Sequence, residues 1–294
     1  MTERVHVFGS HRGLVGIVTE PSAESRKRDA PAVVFSNVGL NHRVGPGRVY
    51  VELARKLAAS GFVAFRFDLS GFGDSNPRSG TATDLERATL DTREALDFLE
   101  GKGITQFVLV GFCSGVDSAH AVAVDDARVV GAVFIDGYAY KNFGFWLRYF
   151  TIRILQPARW GRYIRQRFGS LRHGIGRRET GGVQEVFDRE YPSRLQFAAD
   201  VDRLVQRSVQ LLFVYTVVAD NHYNYQRQFH DTFGHRGPIE VEYYRHADHV
   251  FSVEAQRRQL RSRLVEWMEA RFPERAGSAE TSPTVSLARP SAEV

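Results

Sequence analysis

The chain contains very little cysteine and no long apolar run. Cys113 is the only cysteine among 294 residues, so an internal disulfide is excluded and a structural zinc site is poorly supported. No apolar run approaches the roughly 20 residues needed to cross a bilayer. The opening, MTERVHVFGS, also lacks the charged and apolar regions of a secretory signal. We therefore expect a cytoplasmic protein that uses neither a metal nor another cofactor.

Apolar residues are plentiful, at 43% of the chain, which is enough for one large core. Strand-like runs alternate with helical periodicity, and this predicts an α/β protein whose mostly parallel sheet has helices on both faces. RVHVFG and LVGIVTE alternate apolar and polar residues and predict an N-terminal antiparallel hairpin. We expect core at 1–136 and 209–272, separated by a helical insertion at 137–208. The aperiodic tail, 273–294, is expected to be disordered.

The single cysteine lies in G-F-C-S-G, residues 111–115. A predicted strand precedes it and small residues follow it, as in the strand-turn-helix nucleophile elbow. Gly111 and Gly115 supply the small side chains that this tight turn requires, and the amide end of the next helix favours a thiolate. The pattern predicts that Cys113 is a nucleophile. The alternatives are a small buried core residue, or Ser114 as the nucleophile, although a serine there more often caps the helix.

A thiol nucleophile needs a base and an acid, which follow it in that fold in the order nucleophile, acid, histidine. His249 lies between the last predicted strand and the last helix, so we expect it to be the base, with His246 as the alternative. Asp220 lies in the loop after the preceding strand and is the expected acid. Asp136, at the end of AVFID, is the second candidate. Asp248 adjoins the histidine and is poorly placed to reach its ring.

Two backbone N–H groups are expected to hold an oxyanion. One belongs to Ser114, and the other to Gly39 or Val38 in the loop SNVGLNHRVGPGR. Gly39 would let the backbone approach a bound carbonyl closely. His42 either lines the pocket or faces water.

Three segments together carry a resemblance: GLNHRVGPGRVYVELARKLAASGFVAFRFDLSGFGDS, GFCSG and ADHVF. They resemble the serine-aminopeptidase-like branch of the α/β-hydrolase superfamily, and within it the exosortase A system-associated hydrolases, which also have a cysteine elbow. The resemblance covers most of residues 30–270. It implies an α/β-hydrolase fold and a triad of Cys113, Asp220 and His249. Architectural roles are implied for Asp68, Gly71, Gly73, Asp74 and Ser75. The replacement of serine by cysteine is similar to dienelactone hydrolases and to some acyl-transferring enzymes.

The insertion at 137–208 lies where α/β-hydrolases commonly carry a lid. Its sequence predicts two helices, and we expect Trp146, Trp160 and Tyr163 to line the substrate site. Lys and Arg occur ten times from residue 141 to 178, with no Asp or Glu. A solvated face is the simplest explanation. The patch would also suit an acidic acyl carrier protein, the phosphates of a coenzyme A thioester, or an anionic membrane surface. No nucleic-acid-binding module is evident.

These residues predict acyl transfer from a small-molecule ester or thioester through an acyl-cysteine, as a hydrolase, thioesterase or acyltransferase. Two other classes stay open. One is a lyase or cyclase of the same fold that forms no covalent intermediate. The other is a binding protein that has lost catalytic activity.

Overall fold

The computed structural model describes residues 1–10, 12–39, 41–154, 191–216, 222–234 and 237–274. These residues include an eight-stranded sheet. Its strands are β1 (Thr2–Phe8), β2 (Leu14–Glu20), β3 (Ala32–Phe35), β4 (Ala64–Phe67), β5 (Phe107–Phe112), β6 (Val129–Ile135), β7 (Gln210–Thr216) and β8 (Ile239–Tyr244). Their order across the sheet is β1-β2-β4-β3-β5-β6-β7-β8. β2 is antiparallel to both neighbours, and every later pair is parallel. The predicted α/β class, the mostly parallel sheet and the N-terminal hairpin are confirmed.

Helices connect the parallel strands. They are α1 (Val49–Ala59), α2 (Asp84–Glu100), α3 (Gly115–Asp125), α4 (Phe143–Ile154), α5 (Arg194–Gln206), α6 (Gln228–Phe233) and α7 (Glu254–Arg271), with a short 3₁₀ turn at Pro46–Arg48. Thr83 caps α2 as the sequence suggests: its hydroxyl accepts from the Glu86 N–H at 3.2 Å, and the Glu86 carboxylate accepts from the Thr83 N–H at 2.8 Å. This reciprocal pair satisfies two N–H groups that the helix itself leaves unbonded.

The sheet has a buried core on each face. Successive residues of a strand point to opposite faces, so Val34 belongs to one core and Val33 to the other. The first core is completed by α2, α3 and α5, and the second by α1 and α7. Because both faces are covered, the central strands β5 and β6 are buried along almost their whole length and are continuous apolar runs in the sequence.

Helix α5 lies inside the predicted insertion but packs on the sheet. Phe197, Val201 and Leu204 are at most 1% exposed and belong to the first core. The spacing of these residues, three to four positions apart, places them on one side of the helix. The predicted lid and its second helix fall largely on 155–190, outside the described residues.

None of the described helices is long and apolar enough to cross a membrane. The cytoplasmic location expected from the sequence stays a prediction. The same holds for the disordered tail, because residues 275–294 lie outside the described part of the chain.

Candidate active site

Cys113 lies on a sharp turn between β5 and α3, as the motif predicts. Its φ is 52°, in the left-handed region that a residue with a side chain rarely adopts. A Cβ on Gly111 would lie 2.6 Å from the Gly115 carbonyl oxygen, and one on Gly115 would collide with the carbonyl of Asn37. The two glycines are therefore required by close backbone packing on either side of the cysteine.

His249 stands beside this turn, in the loop between β8 and α7. Its Nδ1 is 2.9 Å from Oδ2 of Asp136, and its ring packs on the ring of Phe112 with centroids 5.4 Å apart. The hydrogen bond with Asp136 and then the one with Cys113 raise the pKa of His249 to about 10. Its imidazolium form is therefore stabilised from both sides, by a carboxylate and by a sulfur.

Asp136 follows β6 directly and is buried. Its Oδ1 accepts from the Thr216 N–H at 2.7 Å, and its Oδ2 accepts from the Thr216 hydroxyl at 2.6 Å. These bonds aim the remaining lone pairs at His249. The structure thus brings the second candidate acid to the histidine, whereas Asp220, the first candidate, lies outside the described residues. We did not single out Thr216 from the sequence; the signal for it is a threonine at the end of the strand beside β6.

The other two candidates in the histidine loop, Asp248 and His246, make hydrogen bonds within or next to that loop. Asp248 accepts from the N–H groups of Val250 and Ser252, each at 3.0 Å, so it holds the loop. His246 is exposed, and its carbonyl accepts from the Gln256 side chain at 2.5 Å. None of these three hydrogen bonds involves Cys113.

The two residues expected to supply oxyanion donors, Ser114 and Gly39, contact each other across the site. Ser114 is the N-cap residue of α3, whose first N–H groups have no acceptor within the helix. Gly39 has a φ of +48° and donates its N–H to Oγ of Ser114 at 2.7 Å. Val38 accepts from the Asn41 N–H at 2.8 Å and closes a turn, and His42 is exposed.

The loop that carries Gly39 is held by charge, and we call residues 36–48 the amide loop. The Arg43 N–H donates to Oδ1 of Asp68 at 2.6 Å, and its guanidinium pairs with Asp68 and with Asp74. Asp68 is fully buried. Ser75 donates its hydroxyl to the Asp68 carbonyl at 2.7 Å. The two ends of the longest resembling segment, residues 39–75, are thus joined through Arg43 and Asp68.

Helix α4 presents an apolar stripe to solvent. Phe143 is 82% exposed, and Trp146 is 42% exposed. Leu147 and Phe150 continue the stripe, and Lys141 lies 5.4 Å from the Trp146 ring. Trp146 therefore lies on an outer face, and the other two predicted lining residues, Trp160 and Tyr163, lie outside the described residues.

The described residues include no group of three or more His, Cys, Asp or Glu side chains arranged to hold a metal ion. A cavity of about 300 Å³ lies at the opposite edge of the sheet, where Ala30 precedes β3 and Gln106 precedes β5. Arg26, Lys27 and Arg28 line it. It therefore shares no residue with the Cys113 site.

Known proteins match this chain at the level of the fold. A serine hydrolase homologue from Coxiella burnetii has a TM-score of 0.55 at 17% identity, covering 90% of this chain and 97% of that one. A serine hydrolase without a lid, from Xanthomonas campestris, has a TM-score of 0.53 at 14% identity, covering 92% and 95%. The esterase domain of a Rhodothermus marinus protein has a TM-score of 0.56 at 16% identity, covering 92% and 99%. No curated protein matches the sequence.

Two of these structures are named serine hydrolases, whereas Cys113 occupies the elbow here. A profile described as the alpha/beta hydrolase family matches residues 35–277, which include the amide loop, the cysteine turn and the histidine loop. This chain belongs to the alpha/beta hydrolase family.

Proposed function

We propose that the protein is an acyl-transfer enzyme in which Cys113, His249 and Asp136 form a catalytic triad. The observation that carries the proposal is the continuous contact from the buried Asp136 carboxylate, through Nδ1 of His249 at 2.9 Å, to the sulfur of Cys113. The carboxylate fixes the ring and its tautomer, which leaves Nε2 for proton transfer. We call these three residues the strand-end triad.

The first half-reaction forms an acyl-enzyme. The Cys113 thiolate attacks the carbonyl carbon of an ester or thioester, and the carbonyl π electrons move to oxygen. The Ser114 N–H stabilises that oxyanion, and Gly39 contributes from the amide loop. The C–O or C–S bond to the leaving group then breaks, and His249 gives its proton to the departing oxygen or sulfur.

The second half-reaction releases the acyl group. Water, an alcohol or an amine loses a proton to His249 as it attacks the thioester carbonyl. The C–S bond to Cys113 breaks, and the thiolate and the imidazolium are restored. Such a thioester intermediate stays reactive toward amines, so the cycle supports transfer as well as hydrolysis.

We further infer an acyl thioester on an anionic carrier, such as an acidic carrier protein or coenzyme A, as the donor. The basic stretch from residue 141 to 178 supports it, because ten cations occur there without an acidic residue. The link between Arg43 and Asp68 supports assignment of the chain to the serine-aminopeptidase-like branch, because both residues lie in the longest segment of that resemblance.

The test is the intact mass of the protein after brief exposure to p-nitrophenyl butyrate. We expect the wild type to gain one butyryl group. Cys113 is the only cysteine, so an adduct that neutral hydroxylamine removes is assigned to it without peptide mapping. Cys113→Ala should gain none, and His249→Ala should gain it far more slowly. His246→Ala is the matched control, expected to react like the wild type.

Acylation of Cys113→Ala at the wild-type rate would contradict the proposal. A lyase or cyclase that forms no covalent intermediate, or an inactive binding protein, would give a thiol no more reactive in the folded wild type than in the unfolded chain.

A further inference from the structure

The side chain of Ser114 is turned away from its own helix. Ser114 is the N-cap residue of α3, yet its hydroxyl makes no capping bond there. By contrast, Ser193 accepts from the Gln196 N–H at 3.1 Å at the start of α5. The Ser114 hydroxyl instead accepts from the N–H of Gly39 at 2.7 Å, a residue 75 positions away in the chain.

This hydroxyl lies among the groups expected to hold the oxyanion. Its Oγ is bonded to the Gly39 N–H, one of the two backbone donors, and it belongs to the residue that supplies the other. Cys113 precedes it in the chain, and both side chains are half-buried. The oxyanion formed on attack by Cys113 therefore develops within reach of the Ser114 hydroxyl.

A serine hydroxyl has one proton to donate. In this structure the Gly39 N–H donates to the Ser114 hydroxyl oxygen, so the hydroxyl's own proton is available to another acceptor. Donation from Gly39 also polarises the O–H bond and makes it a better donor. A hydrogen bond to a charged oxygen is about twice as strong as one between neutral groups. The interaction would therefore strengthen as charge develops on the carbonyl oxygen.

We propose that the Ser114 hydroxyl acts directly in catalysis: it accepts from the Gly39 N–H and donates its own proton to the oxyanion, in place of the direct bond from Gly39. This rests on the proposed function, because it needs acyl transfer at Cys113. It differs from the two-amide arrangement by giving a side chain a direct part in stabilising the transition state.

The test uses the full chain with p-nitrophenyl butyrate, following the burst of p-nitrophenolate by stopped flow. Ser114→Ala should lower the acylation rate constant by about 10²–10³-fold and leave the apparent substrate affinity unchanged, as expected for a bond made only in the transition state. Ser114→Thr keeps the hydroxyl and should recover most of the rate. Ser114→Ala removes no helix cap but does remove the acceptor of the Gly39 N–H, so its melting temperature should fall by only about 2–4 °C.

Ser118→Ala is the matched control, since Ser118 lies on the same helix and bonds only the Gly115 carbonyl there, at 3.5 Å. It should acylate like the wild type. A Ser114→Ala rate equal to or above that of the wild type would overturn the proposal, because the hydroxyl would then merely fill the oxyanion position. That result leaves the proposed function standing as long as Cys113→Ala stays unlabelled. Acylation of Ser114 itself in Cys113→Ala would overturn both.

Discussion

The strand-end triad and the amide loop face each other across the site, but different forces hold them. In the triad the backbone of the sheet sets the positions: the Cys113 N–H donates to the Ile135 carbonyl at 2.8 Å, and the Asp136 N–H donates to the Val214 carbonyl at 2.8 Å. Each step passes to the next parallel strand. In the amide loop only Ser36 continues the sheet, by donating its N–H to the Val110 carbonyl at 3.0 Å, and the described residues after it form no such ladder. The loop is held by the Arg43 ion pairs and by the hydroxyl of Tyr50, which donates to the Ser36 carbonyl at 2.8 Å.

This difference determines how firmly each region is held in position. Strand ends in a closely packed sheet move little, which suits a nucleophile and a proton carrier that must stay within hydrogen-bond distance of each other. A loop held through side chains can be displaced by a single substitution. The two residues after Cys113 contact the amide loop, through the Ser114 to Gly39 hydrogen bond and through the packing of Gly115 on the Asn37 carbonyl.

The largest expected effect comes from Asp136→Asn, within the strand-end triad. The amide would present the wrong group to Nδ1 and favour the wrong tautomer of His249, so acylation by p-nitrophenyl butyrate should slow by about 10³–10⁴-fold. Asp220→Asn is the matched control and should keep the wild-type rate. The reverse result would show that the acid comes from the loop after β7.

In the amide loop, Arg43→Met should lower the free energy of unfolding by about 3–5 kcal/mol, because it leaves a buried carboxylate without its cation. Urea unfolding followed by circular dichroism measures this. Arg55→Met is the control: Arg55 pairs with Glu3 on the surface, with 47% of its side chain exposed. That loss should stay below about 1 kcal/mol. Equal losses in the two variants would mean that charge does not hold the amide loop.

The contact between the cysteine turn and the amide loop is tested by Gly115→Ala. The new methyl group would push against the Asn37 and Ser36 carbonyls, so stability should fall by about 1–3 kcal/mol, and acylation should slow as Gly39 moves away. Gly13→Ala is the control, because a methyl group there meets only Asn76 at an ordinary 3.6 Å. An unchanged unfolding curve for Gly115→Ala would show that the amide loop moves aside without lowering the free energy of unfolding.

The last prediction concerns the pH dependence of stability and tests the triad through His249. Folding raises the pKa of His249 from 6.5 to about 10, so the folded state holds this proton more tightly than the unfolded chain. Its stabilisation is complete below pH 6.5 and is lost as the pH rises through about 10. The melting temperature of the wild type should therefore fall more over this window than that of His249→Gln. A parallel fall in both proteins would mean that His249 gains no such stabilisation on folding.

Local features of the chain were enough to predict much of the fold and the centre of the site. Alternation in the first 20 residues predicts the hairpin, continuous apolar runs predict the buried parallel strands, and the two glycines around Cys113 predict the turn. Each is a property of neighbouring residues and depends on local geometry. His249 was also predicted, because its place between the last strand and the last helix puts it at the same sheet edge as Cys113.

Long-range contacts were not predictable in the same way. Asp136 and His249 are 113 residues apart, and the parallel strands β6 and β7 both end at the edge where the histidine lies. Composition does not distinguish an aspartate in one loop from an aspartate in the other. The Arg43 to Asp68 pair and the Ser114 to Gly39 bond likewise join segments whose separation depends on the strand order β4-β3-β5.

The sequence by itself determined an α/β chain with one thiol on a strained turn, because glycine spacing and hydrophobic periodicity act within a few residues. Only the tertiary structure decided that Asp136 meets His249 and that the Ser114 hydroxyl turns toward Gly39. Those choices depend on which strands lie side by side, and packing of the whole sheet determines that order.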